Sequence, residues 1–295
     1  MLTADLHRTN RFRPFPSIMK NLTLALFALP SFAFAQQAAP AASGAPAEPT
    51  NAKEAAAKKA EADARVDEKY QALVSTLSPE QQAWEKKLQE YLGGFYLPIH
   101  KRDKLAGKSS AWDFVQDKLG LPRVLLIGDS VSRGYTQDVR KALEGKANVH
   151  RAPENCGPSA NGIKKIDAWL GESKWDVIHF NFGIHDRATP LPDYTQRLEQ
   201  LVERMKKTGA KLVWASTTPI PEDAGKNQKA ESIVERNTAA ASIMQKHNVV
   251  IDDLFGAVTP HLAKLQNPND VHFNAEGYEF LGKQVATVLE TQISK

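Results

Sequence analysis

From Arg123 onward, short apolar runs alternate with longer amphipathic stretches, and few folds accept that rhythm. Val124 to Ile127 is apolar and closes in Gly128, and Val131 to Leu143 repeats its apolar residues at helical spacing. Val149 marks a second run, followed by a Pro/Gly/Asn loop and a helix around Ile163 to Leu170. Val177 to Phe182, Lys211 to Ala215 and Val249 to Ile251 supply three more runs. Helices are expected near Tyr194 to Lys207 and Ala230 to Lys246, with two more closing the chain. Apolar runs without polar alternation belong to strands buried on both faces, and the helices between them must cover those faces. The pattern predicts an α/β fold: a three-layer α/β/α sandwich around a mostly parallel five-stranded sheet with right-handed crossovers. Ligands in such a fold sit at the carboxyl edge of the strands.

The residues before this domain differ in kind. Met19-Lys20, the apolar stretch Leu22 to Phe34 and the close Ala33-Phe34-Ala35 have the order of a secretory signal peptide. Residues 1–35 are therefore expected to be a leader, with Met19 the true start and residues 1–18 lying upstream of it. The expected destination is the periplasm or the exterior. Residues 36–51, rich in Ala and Pro, read as a flexible linker. Residues 52–120 read as a helical N-terminal extension, and 121–295 as the α/β domain. Within the extension, Ser78-Pro79-Glu80-Gln81 has the order of a capping box with Pro in the first turn, and Gly93-Gly94 ends the helix it opens. The segment Phe95 to Trp112 is expected to cover a sheet edge or border the pocket.

Several function classes fall away. Without residues 1–35 the chain loses Arg8, Arg11, Arg13, Lys20 and Asp5, so its formal charge falls from +4 to +1. Nothing in that balance points to nucleic acid. No segment offers the 18 apolar residues of a transmembrane anchor. Cys156 is the only cysteine, so no internal disulfide can form, and 42% hydrophobic residues are enough for a core without one.

Two residues carry the chemistry. Ser130 follows the first strand directly in Gly128-Asp129-Ser130, where its hydroxyl and backbone N–H face the carboxyl edge at a helix N-terminus. Alone, it fits an ordinary helix N-cap equally well. His272 stands in Asn269-Asp270-Val271-His272, in the loop before the last helix, which opens near Asn274-Ala275-Glu276-Gly277. Alone, it fits a satisfied loop histidine better than a base. Together the two occupy edges that this topology brings to one place. A serine hydroxyl becomes a nucleophile when an imidazole takes its proton, and the imidazole needs an acceptor to fix its tautomer. Asp270 is the nearest candidate for that acceptor.

These segments resemble the SGNH/GDSL hydrolase family over roughly Arg123 to Leu289. Its nucleophile block corresponds to Gly128-Asp129-Ser130-Val131, and its backbone-donor block to Asn155-Cys156-Gly157. Its Gly-x-Asn-Asp block corresponds to Gly183-Ile184-His185-Asp186, and its acid–histidine block to Asp270-Val271-His272. The resemblance implies a flavodoxin-like three-layer sandwich and ester hydrolysis with no metal or other cofactor. It also implies an oxyanion hole formed by the N–H groups of Ser130 and Gly157 with a donor from the third block. Two departures stand out. His185 replaces the family's asparagine, and a neutral imidazole N–H can donate the same bond. Asn181 is the fallback donor, its other reading being a strand-end amide bonded to backbone. The acid stands two residues before the histidine, where the family usually places it three before, at the position of Asn269 here.

The remaining candidates read structurally. Asp129 and Asp186 are expected to brace their loops, Cys156 to pack, and Trp169, Trp175 and Trp214 to lie in the core; the remaining histidines lack metal-ligand spacing. Trp112, Tyr135, Tyr194 and the loop Thr217 to Lys229 are expected to shape the pocket. The predicted activity is hydrolysis of a small acyl ester, an O-acetyl group on a carbohydrate by analogy with exported relatives. An O-acetyltransferase of envelope or exported polysaccharide would use the same acyl-enzyme, and a non-catalytic binding module could keep the fold.

Overall fold

A computed structural model describes residues 49–223 and 229–294. The leader and most of the linker fall outside them. The linker expected to run to residue 51 gives way to helix already at Pro49.

Three helices come first: α1 (Pro49–Ser75), α2 (Pro79–Tyr91) and α3 (Gly93–Leu105). The capping box forms at α2, where Ser78 Oγ accepts from Gln81 N at 3.3 Å and Gln81 Oε1 accepts from Ser78 N at 3.1 Å. α3 was not expected. Gly93, at φ +67°, does end α2, but the chain turns there and resumes. Pro98 lies inside α3 as its sixth residue and removes one N–H from the helical ladder, a loss the helix absorbs. Most of α1 is exposed until Tyr70. There the helices close on a buried carboxylate, Glu85, bonded by Tyr70 at 2.6 Å, His100 at 2.7 Å and Lys104 at 2.5 Å. Burial pushes the Glu85 carboxyl up, but these partners outweigh it and hold it near 2.

The α/β domain runs β1 (Arg123–Ile127), α4 (Ser130–Ala142), β2 (Asn148–Arg151), α5 (Ser159–Leu170), β3 (Val177–Phe180) and α6 (Leu191–Lys206). It continues through β4 (Lys211–Ala215), α7 (Glu231–Lys246), β5 (Val250–Asp252), α8 (Leu254–Val258), α9 (Leu262–Leu265) and α10 (Ala275–Ile293). All five strands are parallel, in the order β2-β1-β3-β4-β5. This is the doubly wound order whose reversal point lies between β1 and β3.

The strands divide their side chains between two layers. Leu125, Ile127, Ile178, Phe180, Leu212 and Trp214 enter one core with Ile166, Leu198 and Met244 from α5, α6 and α7. Val124, Leu126, Val177, Val213 and Ala215 enter the other with Val139 of α4 and Leu281, Val285 and Leu289 of α10. That alternation makes a three-layer sandwich. Trp169, Trp175 and Trp214 are buried, as expected. Tyr135 and Tyr194, expected at the pocket, are also buried in these cores, at 1% and 0% exposure. They sit on the apolar stripes of α4 and α6, and Tyr194 donates to Phe182 O at 2.8 Å. No helix among the described residues is long and apolar enough to cross a membrane.

The extension docks on this domain in two ways. Lys118 N donates to Asn148 Oδ1 at 2.8 Å, alongside edge strand β2. On α4, Gln137 and Arg140 donate to Ser110 O at 2.6 and 3.2 Å, next to Trp112, which packs with Leu88 and Leu92 inside the extension.

Candidate active site

The turn that carries Ser130 is built by sterics and by one arginine. A Cβ on Gly128 would stand 2.6 Å from Ser132 Oγ, so the strand can enter α4 this sharply only with glycine. Asp129, not Ser130, caps the helix: its Oδ1 accepts from Val131 N at 2.9 Å. Ser130 becomes the first helical residue, whose N–H has no intrahelical acceptor. Arg151, buried at the end of β2, donates to Gly128 O at 3.0 Å, Asp129 O at 2.9 Å and Ser132 Oγ at 2.6 Å.

The loop before α10 brings the imidazole to that turn. Asn267 N donates to His272 O at 2.9 Å and Asn274 N to Leu265 O at 3.0 Å, which closes the loop at its base. Asn269 adopts φ +55°, a left-handed conformation that asparagine tolerates. Asn274 caps α10 by accepting from Gly277 N at 2.9 Å. Ser130 Oγ then lies 2.7 Å from His272 Nε2, and His272 Nδ1 lies 2.8 Å from Asp270 Oδ1. Asp270 Oδ1 also accepts from His272 N at 3.2 Å. Burial raises the Asp270 carboxyl, but hydrogen bonds from His272 outweigh it, so the group is held below its usual range. The side chains of His272 and Asp270 are 35% and 46% exposed, so the relay opens to solvent.

Two further loops border Ser130. Cys156 N donates to Gly128 O at 3.1 Å, and Gly157 follows at φ +67°. Its N–H has no hydrogen-bond partner among the described residues. Cys156 itself is buried packing, and burial pushes its thiol up to about 12. After β3, Gly183 passes so close to Thr217 that a Cβ would stand 1.9 Å from its Oγ1. His185 follows in a single 3-10 turn, exposed and without a hydrogen-bond partner among the described residues. Asp186 fixes that turn by accepting from Ser159 N and Oγ, both at 2.7 Å, while Arg236 donates to its carbonyl at 2.7 Å. Asp129 and Asp186 thus brace their loops. Asn181 has its amide hydrogens committed to Ala215 O at 2.8 Å and Thr217 Oγ1 at 3.0 Å. That leaves no donor for the fallback role.

Sequence reading missed Arg151, because no motif marks it and the turn it clamps, Gly128 to Ser132, belongs to a different element. It also missed the cluster of Glu199, Glu203 and His247, whose ligand atoms lie within 4.8 Å of one another on α6 and the end of α7. Glu199 is already paired there with Lys246 and His247. A cavity of about 370 Å³ between α2, residues 113–117 and β2 includes neither Ser130 nor His272.

The sequence model of the GDSL-like lipase/acylhydrolase family matches residues 126–280. Among solved structures, a lipase/acylhydrolase from Enterococcus faecalis has a TM-score of 0.51 at 20% identity, covering 58% of this chain and 96% of its own. The acetyl xylan esterase AlAXEase gives 0.51 at 14% identity, over 57% and 99%. An acetylxylan esterase from Geobacillus stearothermophilus gives 0.50 at 16%, over 61% and 97%. At such identities the likeness is one of fold. No curated protein matches the chain.

Proposed function

The chain belongs to the GDSL-like lipase/acylhydrolase family and is an ester-hydrolysing enzyme; from that premise we propose that it is an exported serine esterase releasing small acyl groups, O-acetyl above all, from carbohydrate. One observation carries the reading: the continuous relay from Ser130 Oγ to His272 Nε2 at 2.7 Å and from His272 Nδ1 to Asp270 Oδ1 at 2.8 Å. Its position at the carboxyl edge, beside the reversal point of the sheet, is where such folds hold their ligands.

The steps follow from the geometry. Ser130 Oγ attacks the acyl carbon while its proton passes to His272 Nε2, and Asp270 holds the Nδ1–H tautomer. The developing oxyanion accepts bonds from the N–H groups of Ser130 and Gly157 and from the His185 imidazole. Collapse expels the sugar oxygen, which takes the proton from His272. Water then attacks the acyl-enzyme, its proton passing to His272 and on to Ser130, and acetate leaves.

The solvent-open relay supports water as acceptor over a second sugar, since transfer requires water to be kept out. The acetylxylan esterases that share the fold support an acetylated carbohydrate as substrate. Export rests on the leader-like stretch Leu22 to Ala35.

The test is turnover of p-nitrophenyl acetate and labelling by a fluorophosphonate probe, with S130A beside the wild type. The wild type should turn over and be labelled, and S130A should lose more than about 10³-fold in kcat along with the label. Equal turnover by S130A would refute the mechanism. An unlabelled, inactive wild type would favour a binding module.

A further inference from the structure

We propose that Arg133 selects the substrate, directing the site toward an acylated carbohydrate that bears a carboxylate, a uronate-type sugar, ahead of a neutral one. This rests on the esterase reading above.

Arg133 follows Ser130 by three residues on α4, so the two project from neighbouring positions on one side of the helix. Its guanidinium lies 5.4 Å from the ring centroid of Tyr96 and 6.0 Å from that of Trp112, both in the extension. Phe95 meets Tyr96 edge-on at 4.8 Å and is 72% exposed, so the aromatic corner continues to the surface. The Arg133 charge also reaches Tyr278, in the first turn of α10. Burial pushes that phenol up, and the Arg133 charge works in the opposite direction. Tyr278 packs against Phe273, the residue after His272. The next residue, Gly134, meets Tyr278 so closely that a Cβ there would stand 2.0 Å from its ring, so Arg133 lies near both the aromatic corner and the helix that follows the base.

Arg133 has bonding capacity that Arg140, Arg151 and Arg236, the other arginines at least partly buried in the α4, β2 and α7 regions, have already used. Arg140 donates to Val149 O and Ser110 O, Arg151 to three acceptors, and Arg236 to Asp186 O and Thr189 O. Arg133 makes no side-chain hydrogen bond or ion pair among the described residues, and its Nε is buried without a partner. The nearby carboxylates are engaged elsewhere, Asp129 with Val131 N and Asp270 with His272. A guanidinium beside aromatic rings, with donors that bond nothing among the described residues, matches the planar fork of a carboxylate. Trp112 is buried, and Phe95 and Tyr96 at the surface end of the corner offer apolar faces to a sugar. A neutral acetyl ester leaves those donors unused.

The test compares kcat/KM for mono-O-acetyl glucuronic acid and mono-O-acetyl glucose. The wild type should favour the uronate, and R133Q should lower the uronate-to-neutral ratio by about tenfold or more, with R133K recovering part of it. An unchanged ratio in R133Q overturns the proposal. So does a parallel loss on both substrates with a lowered Tm, because that is the signature of a bolt for the aromatic corner. If Ser130 is neither labelled nor active, the esterase reading fails by itself. Calorimetric binding of glucuronate to wild type and R133Q then decides the matter, and equal affinity refutes the role of Arg133.

Discussion

Ser130 and His272 lie 142 residues apart in the chain, yet Oγ and Nε2 meet at 2.7 Å. The packing of α4 on α10 closes that separation. A Cβ on Gly282 would stand 2.4 Å from Cβ of Asp138 and 3.3 Å from the carbonyl oxygen of Tyr135, so the two helices touch through a glycine. G282A should push α10 away from α4 and carry the His272 loop with it. Overpacking of this kind costs about 1–3 kcal/mol, while a shift of about 1 Å at reacting groups can cost about 100-fold in rate. The expected outcome is a fall in kcat of about tenfold to hundredfold with a modest fall in Tm, read from ester turnover and thermal melts. Full kcat at a lowered Tm would show that the helix contact does not align the site.

His185 yields a prediction of opposite character, because the fold does not lean on it. Its side chain is exposed and bonds nothing among the described residues. H185A should leave the Tm unchanged and lower kcat by about 10²–10³-fold, the usual effect of losing one oxyanion donor. H185N, which restores an N–H donor of the kind the family normally uses, should recover much of the rate. Kinetics on the two variants decide it. Wild-type kcat in H185A would remove the imidazole from the oxyanion hole.

Asp270 should set no limb of the activity profile above about pH 4. Burial opposes its ionisation, but bonds from the His272 ring and from the N–H groups of His272 and Val271 outweigh it and depress its pKa. A carboxyl depressed on folding contributes fully above its unfolded value, about 3.9, and loses that contribution as pH falls through its folded value. A carbon-detected NMR titration should place the Asp270 midpoint below about 3.9, and a midpoint above it would contradict the assignment. D270N keeps the shape but offers an N–H where His272 Nδ1 needs an acceptor. Its kcat should fall by about 10²–10⁴-fold, nearer the lower figure because a half-exposed site lets water stand in.

These residues were legible to different degrees, for physical reasons. The five strands could be read because burial on both faces leaves unbroken apolar runs. Ser130 and His272 could be read because strand and helix boundaries place them on one edge. α3 could not. Gly93-Gly94 and Pro98 are helix breakers by residue type, and only the turn at Gly93 shows that a new helix starts before the proline. Tyr135 and Tyr194 misled because an amphipathic side chain suits a pocket rim as well as a core, where the Tyr194 hydroxyl finds a carbonyl. Arg133 and Arg151 carried no signal, since the meaning of an arginine lies in partners supplied by distant segments.

Arg151 provides a case in which activity and stability should part. Its guanidinium is 2% exposed, and burial is the main cause that lowers its pKa, so the charge is held against a desolvation cost. Nε has no hydrogen-bond partner among the described residues. The carbonyls it serves are not otherwise orphaned: Gly128 O also accepts from Cys156 N at 3.1 Å, and Asp129 O from Arg133 N at 2.9 Å. R151M would remove the buried charge, keep most of the packing volume and leave each carbonyl a partner. Its stability should therefore change by less than about 1.5 kcal/mol, since replacing a buried ion with an apolar residue is often near neutral. The turn beneath Ser130 would lose the clamp joining Gly128, Asp129 and Ser132, and kcat should fall by about tenfold or more. Urea unfolding and ester turnover on one preparation separate the two effects. A loss of more than about 3 kcal/mol at unchanged kcat would make Arg151 a support of the fold with no part in aiming the nucleophile.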